Sequence, residues 1–166
     1  STSILHIEQP LEPFAILKGL NAAQLSQRLA AGRAALLAVR QQRVRPHRDD
    51  KILTSWNGLM IAALASGAAT LEEPRYLQAA RRAADFVLLT LTRDGGLLRR
   101  WRDGEARYPG TLEDYAFFIH GLVELYEADG DPRWLAEAKR LGAQMLEQFS
   151  DEPSGGFFLR AQHEAP

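Results

Sequence analysis

Ser55-Trp56-Asn57-Gly58-Leu59-Met60-Ile61-Ala62-Ala63-Leu64-Ala65 is the stretch on which the fold turns. It is apolar nearly all the way round and rich in small residues, the pattern of a helix buried on every side. The next segment is of another kind. Pro74 opens a second helix at its first turn, where the missing N–H would have no partner in any case. That helix carries Leu77, Ala80, Ala84, Val87, Leu88 and Leu91 on one face, with Arg75, Arg81, Arg82 and Asp85 largely elsewhere. It is amphipathic and should have one wet side.

The pair then recurs. Thr111 caps a mostly apolar helix carrying Leu112, Tyr115, Phe117, Phe118, Ile119, Leu122 and Leu125, and Pro132 opens another charged, amphipathic helix that ends near Phe149. Sliding the chain by 58 positions aligns the two pairs without a gap through the helices. Ile61 falls on Ile119, Leu64 on Leu122, Pro74-Arg75 on Pro132-Arg133, Ala80 on Ala138 and Leu88 on Leu146. After each second helix comes a double glycine with an apolar follow-on, Gly95-Gly96-Leu97-Leu98 and Gly155-Gly156-Phe157-Phe158, which reads as a short β-hairpin or extended connection. A repeat of this length is one supersecondary unit used again. Buried helices alternating with half-exposed ones imply two concentric layers. The expectation is an all-α chain, a segment of an α/α toroid with glycine-marked β-hairpin connections. A tetratricopeptide-like solenoid is the alternative; its unit is shorter, about 34 residues, and it seldom carries glycine hairpins.

Further out, residues 1–20 read as irregular, because Pro10 and Pro13 break a helix. Asn21 looks like the N-cap of a helix over 21–43, with Leu25, Leu29, Leu36, Leu37 and Val39 at helical spacing. The expected layout is one partial toroid domain over 1–166, with a lead-in at 1–20, the helix at 21–43, a first hairpin unit at 55–100 and a second at 111–158.

Bulk properties exclude several classes. Apolar residues make up 46% and charged residues 25% of the 166, the balance of a folded globular chain. A net charge of -1 exerts no global pull toward nucleic acid or an acidic membrane surface. No apolar run approaches the roughly 20 residues of a membrane-spanning helix, and the start lacks the basic and apolar regions of a signal peptide. There is no cysteine, so disulfides, thiolate metal sites and Cys nucleophiles are absent from this chain, and a cytoplasmic setting is the default expectation. The four histidines form no HExxH or close pair, which argues against zinc. Neither a metal nor a cofactor is expected, and neither nucleic acid nor membrane is an expected partner.

In a toroid the connections from outer to inner helices gather on one rim. Two of them are dense in functional side chains. The first runs Arg45-Pro46-His47-Arg48-Asp49-Asp50-Lys51 through Trp56-Asn57-Gly58; the second runs from Trp101-Arg102-Asp103-Gly104 to Leu112-Glu113-Asp114-Tyr115-Ala116. Under the 58-residue shift Trp56-Asn57 superposes on Asp114-Tyr115, so the two segments should be neighbours. A sugar site needs these residue types. Trp56 and Tyr115 can stack on the C–H face of a pyranose, while Arg48, Asn57 and His47 can bind hydroxyls. Two carboxylates among Asp49, Asp50, Glu113 and Asp114 can serve as acid and base. Epimerisation needs bases on two faces of an acidic carbon, for which His47 and His120 are the imidazole candidates of the helical body.

Each has a structural reading beside it. The four acids lie within a turn of a helix start, where carboxylates cap amides and complement the macrodipole. Arg48 and Lys51 can simply pair with them. Trp56 can be a wedge between inner helices. His120, among Phe118, Ile119 and Leu122, reads more readily as a satisfied core histidine, and Trp134 and Tyr76 as pins beside the prolines of the outer helices.

The run from Arg45 to Met60, together with Leu112-Glu113-Asp114-Tyr115-Ala116, Leu125-Tyr126-Glu127 and Gly130-Asp131, resembles the proteins related to spermatogenesis-associated protein 20. The first motif is long and specific, the second short, and the resemblance covers about residues 4–158. It implies a thioredoxin-like domain joined to a six-hairpin toroid similar to N-acylglucosamine 2-epimerase and the six-hairpin glycosidases. Arg48, Asp49, Asp50, Trp56, Asn57, Glu113, Asp114 and Tyr115 would then face a central cavity. Two hairpins and one preceding helix cannot close such a ring. The expectation is therefore an excised arc, about two to three hairpins of six, without turnover by itself and prone to dimerise through unclosed helix faces. Two functions compete: a module acting on or binding a carbohydrate, and a non-catalytic helical scaffold serving a protein partner or the thioredoxin-like domain.

Overall fold

The structure, a computed structural model, describes residue 6 and residues 9–161. The chain divides into two compact units, Ser1–Arg48 and Asp49–Pro166.

The first unit holds α1 (Leu11–Leu17) and α2 (Ala22–Gln41). Asn21 caps α2 as expected, its side chain accepting a hydrogen bond from the Gln24 N–H at 3.0 Å. The reading of 1–20 as irregular is corrected by α1. Pro10 stands at its N-cap and Pro13 is its third residue, inside the first turn, where a backbone N–H has no intrahelical acceptor to lose. Ala15 of α1 is buried, whereas α2 buries no residue and leaves Leu36, Leu37 and Val39 exposed.

The second unit is the repeat. Its helices are α3 (Thr54–Leu71), α4 (Pro74–Thr90), α5 (Leu112–Asp129) and α6 (Pro132–Phe149). α5 begins 58 residues after α3, and α6 begins 58 after α4. α3 and α5 lie side by side as the inner layer, with α4 packed on α3 and α6 on α5. They run parallel, since Ser55 meets Asp114, Gly58 meets Phe118, and Ser66 meets Glu124. The core fills the space between the layers with Ile61, Ala65, Ala80, Ala84 and Val87 from the first pair and Phe118, Leu122, Leu125, Trp134 and Leu141 from the second.

Two glycines set the spacing of the inner pair. A Cβ on Gly58 would stand 2.4 Å from the Phe117 carbonyl oxygen, and one on Gly121 would stand 2.5 Å from the Gly58 carbonyl oxygen. Backbone therefore meets backbone at this crossing. The expectation that α3 is buried on every side is corrected: α4 and α5 cover two of its sides, and Trp56, Leu59 and Met60 remain exposed along a third.

The two short inner-to-outer turns use one device twice. Glu73 accepts from the Arg75 N–H at 3.3 Å and from its Nε at 2.9 Å. Asp131 accepts from the Arg133 N–H at 3.0 Å and from its Nε at 2.8 Å. In both, a proline fills the first helical position between acid and arginine. Asp129 then ties the repeats together. It accepts from Arg81 of α4 and, at 2.8 Å, from Trp134 Nε1, while Arg133 Nη1 reaches Asp85 at 2.8 Å. The pinning role expected of Trp134 is what is seen; its indole is fully buried and lies under the Arg133 guanidinium.

At the other end are the strands: β1 (Ile52–Leu53), β2 (Thr92–Arg93), β3 (Gly96–Arg102), β4 (Glu105–Pro109), β5 (Ser150–Asp151) and β6 (Gly156–Phe157). β3 is antiparallel to β1, β2 and β4, with Ile52 opposite Trp101 and Arg100 opposite Arg107; β5 pairs with β6. Gly95 and Gly155, at φ 82° and 70°, make the turns that the double glycines announced.

Gly58→Ala and Gly121→Ala should each lower unfolding free energy in denaturant titration by about 1–3 kcal/mol, because neighbouring backbone must retreat. Gly142→Ala, with open space around its Cβ, should instead stabilise by roughly 0.5–1 kcal/mol. The hydrogen bond from Arg81 holds the Asp129 carboxyl below its ordinary value of 3.8, against the opposing effect of burial. A depressed folded-state value contributes stability that is present above the unfolded value and lost as pH falls through the folded one. Asp129→Asn should therefore lower the melting temperature at pH 7, and its deficit relative to wild type should shrink in melts taken progressively below pH 3.8.

Candidate functional site

The connections that lead into the inner helices converge at the N-terminal ends of α3 and α5. β1, just before α3, is hydrogen-bonded to β3 of the connection before α5. The segment after α6 joins them, with the Leu112 N–H donating to the Leu159 carbonyl at 3.1 Å. Thr54 anchors the start of α3 from below, its buried hydroxyl donating to the Leu98 carbonyl at 2.6 Å.

Asp114 holds this rim together. Its Oδ1 accepts from the Ser55 N–H of α3 at 3.0 Å, and its Oδ2 accepts from the Thr111 N–H at 2.9 Å and the Thr111 hydroxyl at 3.0 Å. One carboxylate thus caps two inner helices. At 1% exposure, with both oxygens engaged, Asp114 has no oxygen to offer a substrate, and its expected role as a catalytic acid is corrected to capping. Tyr115 is corrected likewise. It is 2% exposed, its ring 5.3 Å from that of Phe149 and its hydroxyl accepting from the Leu97 N–H at 3.0 Å, so no pyranose can stack on it. Burial pushes that hydroxyl above the usual tyrosine value.

The other acids are exposed or half-exposed. Asp49 pairs with Lys51 at 3.0 Å, and the hydrogen bond from Lys51 holds its carboxyl below the ordinary value. Arg102 Nε lies 2.9 Å from Asp50 and 3.2 Å from Asp103. Glu113 stands in the first turn of α5, exposed and outside any ion pair among the described residues. Trp56, in the first turn of α3, is 71% exposed, so it is no wedge between helices. Asn57 donates from Nδ2 to the Leu53 carbonyl at 2.8 Å, which leaves its amide oxygen as an acceptor. His47 and Arg48 close the first unit, exposed and without side-chain partners among the described residues.

The Ser55–Asp114 hydrogen bond brings together the two turns that carry Trp56 and Glu113, the neighbourhood that the repeat shift anticipated. A third residue of α5 is also placed differently from expectation. His120 is exposed, since two residues beyond Phe118 is more than half a turn round the helix from the buried Phe118–Leu122–Leu125 line. The inner helices also meet further down, where Ser66 donates to Glu124 at 2.7 Å. These positions are 58 apart, so the repeat alone could have paired them. Among the described residues no group of three or more His, Asp or Glu is placed to hold a metal ion, and no helix is long and apolar enough to cross a membrane.

No family model matches the chain. Spermatogenesis-associated protein 20 of Homo sapiens is 34% identical over 94% of this chain, and that of Mus musculus 33% over the same share. The chain spans about a fifth (21%) of the length of these curated relatives. An uncharacterised protein of Caenorhabditis elegans is 33% identical over 74% of the chain. Among solved structures, cellobiose 2-epimerase from Spirochaeta thermophila superposes with a TM-score of 0.60 at 18% identity, over 66% of this chain and 28% of that one. A GH76 α-mannanase from Bacteroides thetaiotaomicron superposes at 0.55 and 18%, over 68% and 33%. At such identities the likeness is one of fold: both neighbours are α/α toroids. The chain is homologous over most of its length to a fifth of spermatogenesis-associated protein 20, and its helical repeat is an arc of an α/α toroid.

Proposed function

We propose that this chain is a carbohydrate-binding arc of a larger toroid protein, and that the complete ring acts on a sugar by epimerisation, isomerisation or glycoside cleavage. The observation that carries the reading is Trp56, a 71%-exposed indole on an inner helix at the rim, with the exposed Glu113 on the neighbouring turn. A large, rigid ring with a polar N–H suits the apolar face of a pyranose, and the Asn57 amide oxygen and Glu113 suit its hydroxyls. Structural neighbours that include a cellobiose 2-epimerase and an α-mannanase support the substrate class.

Turnover is assigned to the complete ring. Glycoside cleavage uses two carboxylates across the scissile bond. Of the four acids at the rim, Asp114 is consumed in capping and Asp49 and Asp50 in ion pairs, so Glu113 is the one left to act. Asp49, held ionised beside Lys51, suits charge stabilisation better than proton donation. The homology extends through both units, which supports reading 1–166 as one partial toroid domain. A thioredoxin-like domain in the longer protein, a cytoplasmic setting, and pairing of isolated arcs through Leu59 and Met60 on the open side of α3 complete the proposal. The scaffold reading draws its support from the same capped and paired acids.

A sugar-library binding screen on the longer protein separates the two. A bound sugar is expected, with Trp56→Ala weakening it about tenfold and leaving the melting temperature nearly unchanged. Asp114→Ala should instead cost about 1–3 kcal/mol of unfolding free energy, the loss of a cap shared by two helices. A screen with no binder would favour the scaffold.

A further inference from the structure

The β3–β4 hairpin carries a costly arrangement that the rim site does not use. Arg100 and Arg107 face each other directly across the antiparallel pair. Like charges in that position destabilise a sheet. Their face is opposite to that of Trp101, whose ring packs edge-on against Phe86 of the core at 5.8 Å. Arg107 is bonded to Glu105 at 2.6 Å, but Arg100 has no carboxylate partner among the described residues. Its guanidinium instead lies 5.0 Å from the centre of the Tyr108 ring.

Tyr108 is itself held out of the ordinary. It comes directly after Arg107 in β4, so strand alternation would send its side chain to the other face. Its φ is +65°, a left-handed conformation that a bulky residue seldom adopts, and its ring is brought under Arg100. The hydrogen bond from Arg100 lowers the value of its hydroxyl, followed by the nearby charge of the same arginine. Tyr108 and Arg93 line a cavity of about 410 Å³ at the foot of the hairpin, with Asp94, Tyr115, Gln144 and Gln148 also in its wall and Arg100 beside it over the Tyr108 ring. That volume falls in the range of small-molecule sites. The acids at hand, Glu105 and Asp94, leave one positive charge over against Arg93, Arg100 and Arg107. A charge excess, a left-handed tyrosine and a polar cavity thus meet at one place.

We propose that this hairpin is an anion subsite, in which Arg100, Arg107 and Arg93 hold the oxyanion of a small anionic polyol, a sugar phosphate or a sugar acid, and the cavity beside Tyr108 takes its hydroxyl-bearing body. The planar guanidinium fork matches phosphate and carboxylate oxygens alike. The Gln144 and Gln148 amides suit the hydroxyls. An incoming anion would offset the Arg100–Arg107 repulsion, so binding should stabilise the hairpin. The assignment stands on residues separate from Trp56 and Glu113, and survives if the rim binds no sugar.

Calorimetric titration of the 166-residue chain at low salt tests it, with glucose 6-phosphate, glucuronate, inorganic phosphate and neutral glucose as probes. Binding of glucose 6-phosphate or glucuronate is expected, tighter than inorganic phosphate, with no heat from glucose; which of the two binds identifies the anion. Arg100→Gln should weaken binding at least tenfold, while Arg99→Gln, on the alternate face of β3, leaves it nearly unchanged. Thermal melts guard against misfolding. Arg100→Gln relieves a like-charge pair and should melt no lower than wild type, but should lose the ligand-induced rise in melting temperature. Equal affinity of the Arg100→Gln variant, equal binding of neutral glucose, or binding only to single-stranded DNA or anionic vesicles would overturn the proposal, as would silence toward every small anion.

Discussion

The inner layer rests on a contact in which no side chain takes part. Gly58 and Gly121 let α3 and α5 approach until a single methyl group on either would drive into the other's backbone. Helices that close gain dispersion contacts along their length, because each atom of the seam finds a partner at van der Waals distance. The crossing also decides the geometry above and below it. Toward the rim it brings the Ser55 N–H within reach of Asp114; further along it sets Ser66 against Glu124. Widen the crossing by a methyl group, and both hydrogen bonds lengthen together. The site is therefore only as well placed as the seam beneath it.

The two ends of the repeat are built to different standards. At the short turns, acid, proline and arginine cap each outer helix within three residues, and the Asp129 carboxylate joins Arg81 to Trp134. Few residues there are free to move. At the rim the connections are longer and carry strands, left-handed turns and exposed charge. This division is common where a rigid body presents variable loops. Here the Asp114 cap is what keeps the looser end in register with the tight one.

Much of the fold was legible because the repeat is gapless through its helices. A period of 58 residues placed both proline starts and the neighbourhood of Trp56 with Asp114, and the double glycines marked both turns at a spacing of 60. It could not show the glycine seam, for Gly58 aligns with Ala116 and Gly121 with Ala63. The tight backbone crossing joins positions that are not equivalents. At the site, residue types were legible but orientation was not. Thr111 and Asp114 have the spacing of a capping box, and a carboxylate there serves the amides ahead of any ligand. Tyr115 is one step further round the helix, which turns it into the core, and His120 is turned out of it. Pro13 misled for a related reason: its effect depends on where in the turn it falls.

Ser66 and Glu124 touch while occupying the same place in successive units. When a unit meets its own copy at matching heights, the operation relating the two is a rotation with little rise along the axis. A rise would have offset the partners by a turn and generated a spiral that never meets its own beginning. Where the angle of that rotation divides the full circle, a head-to-tail contact of this kind closes into a ring.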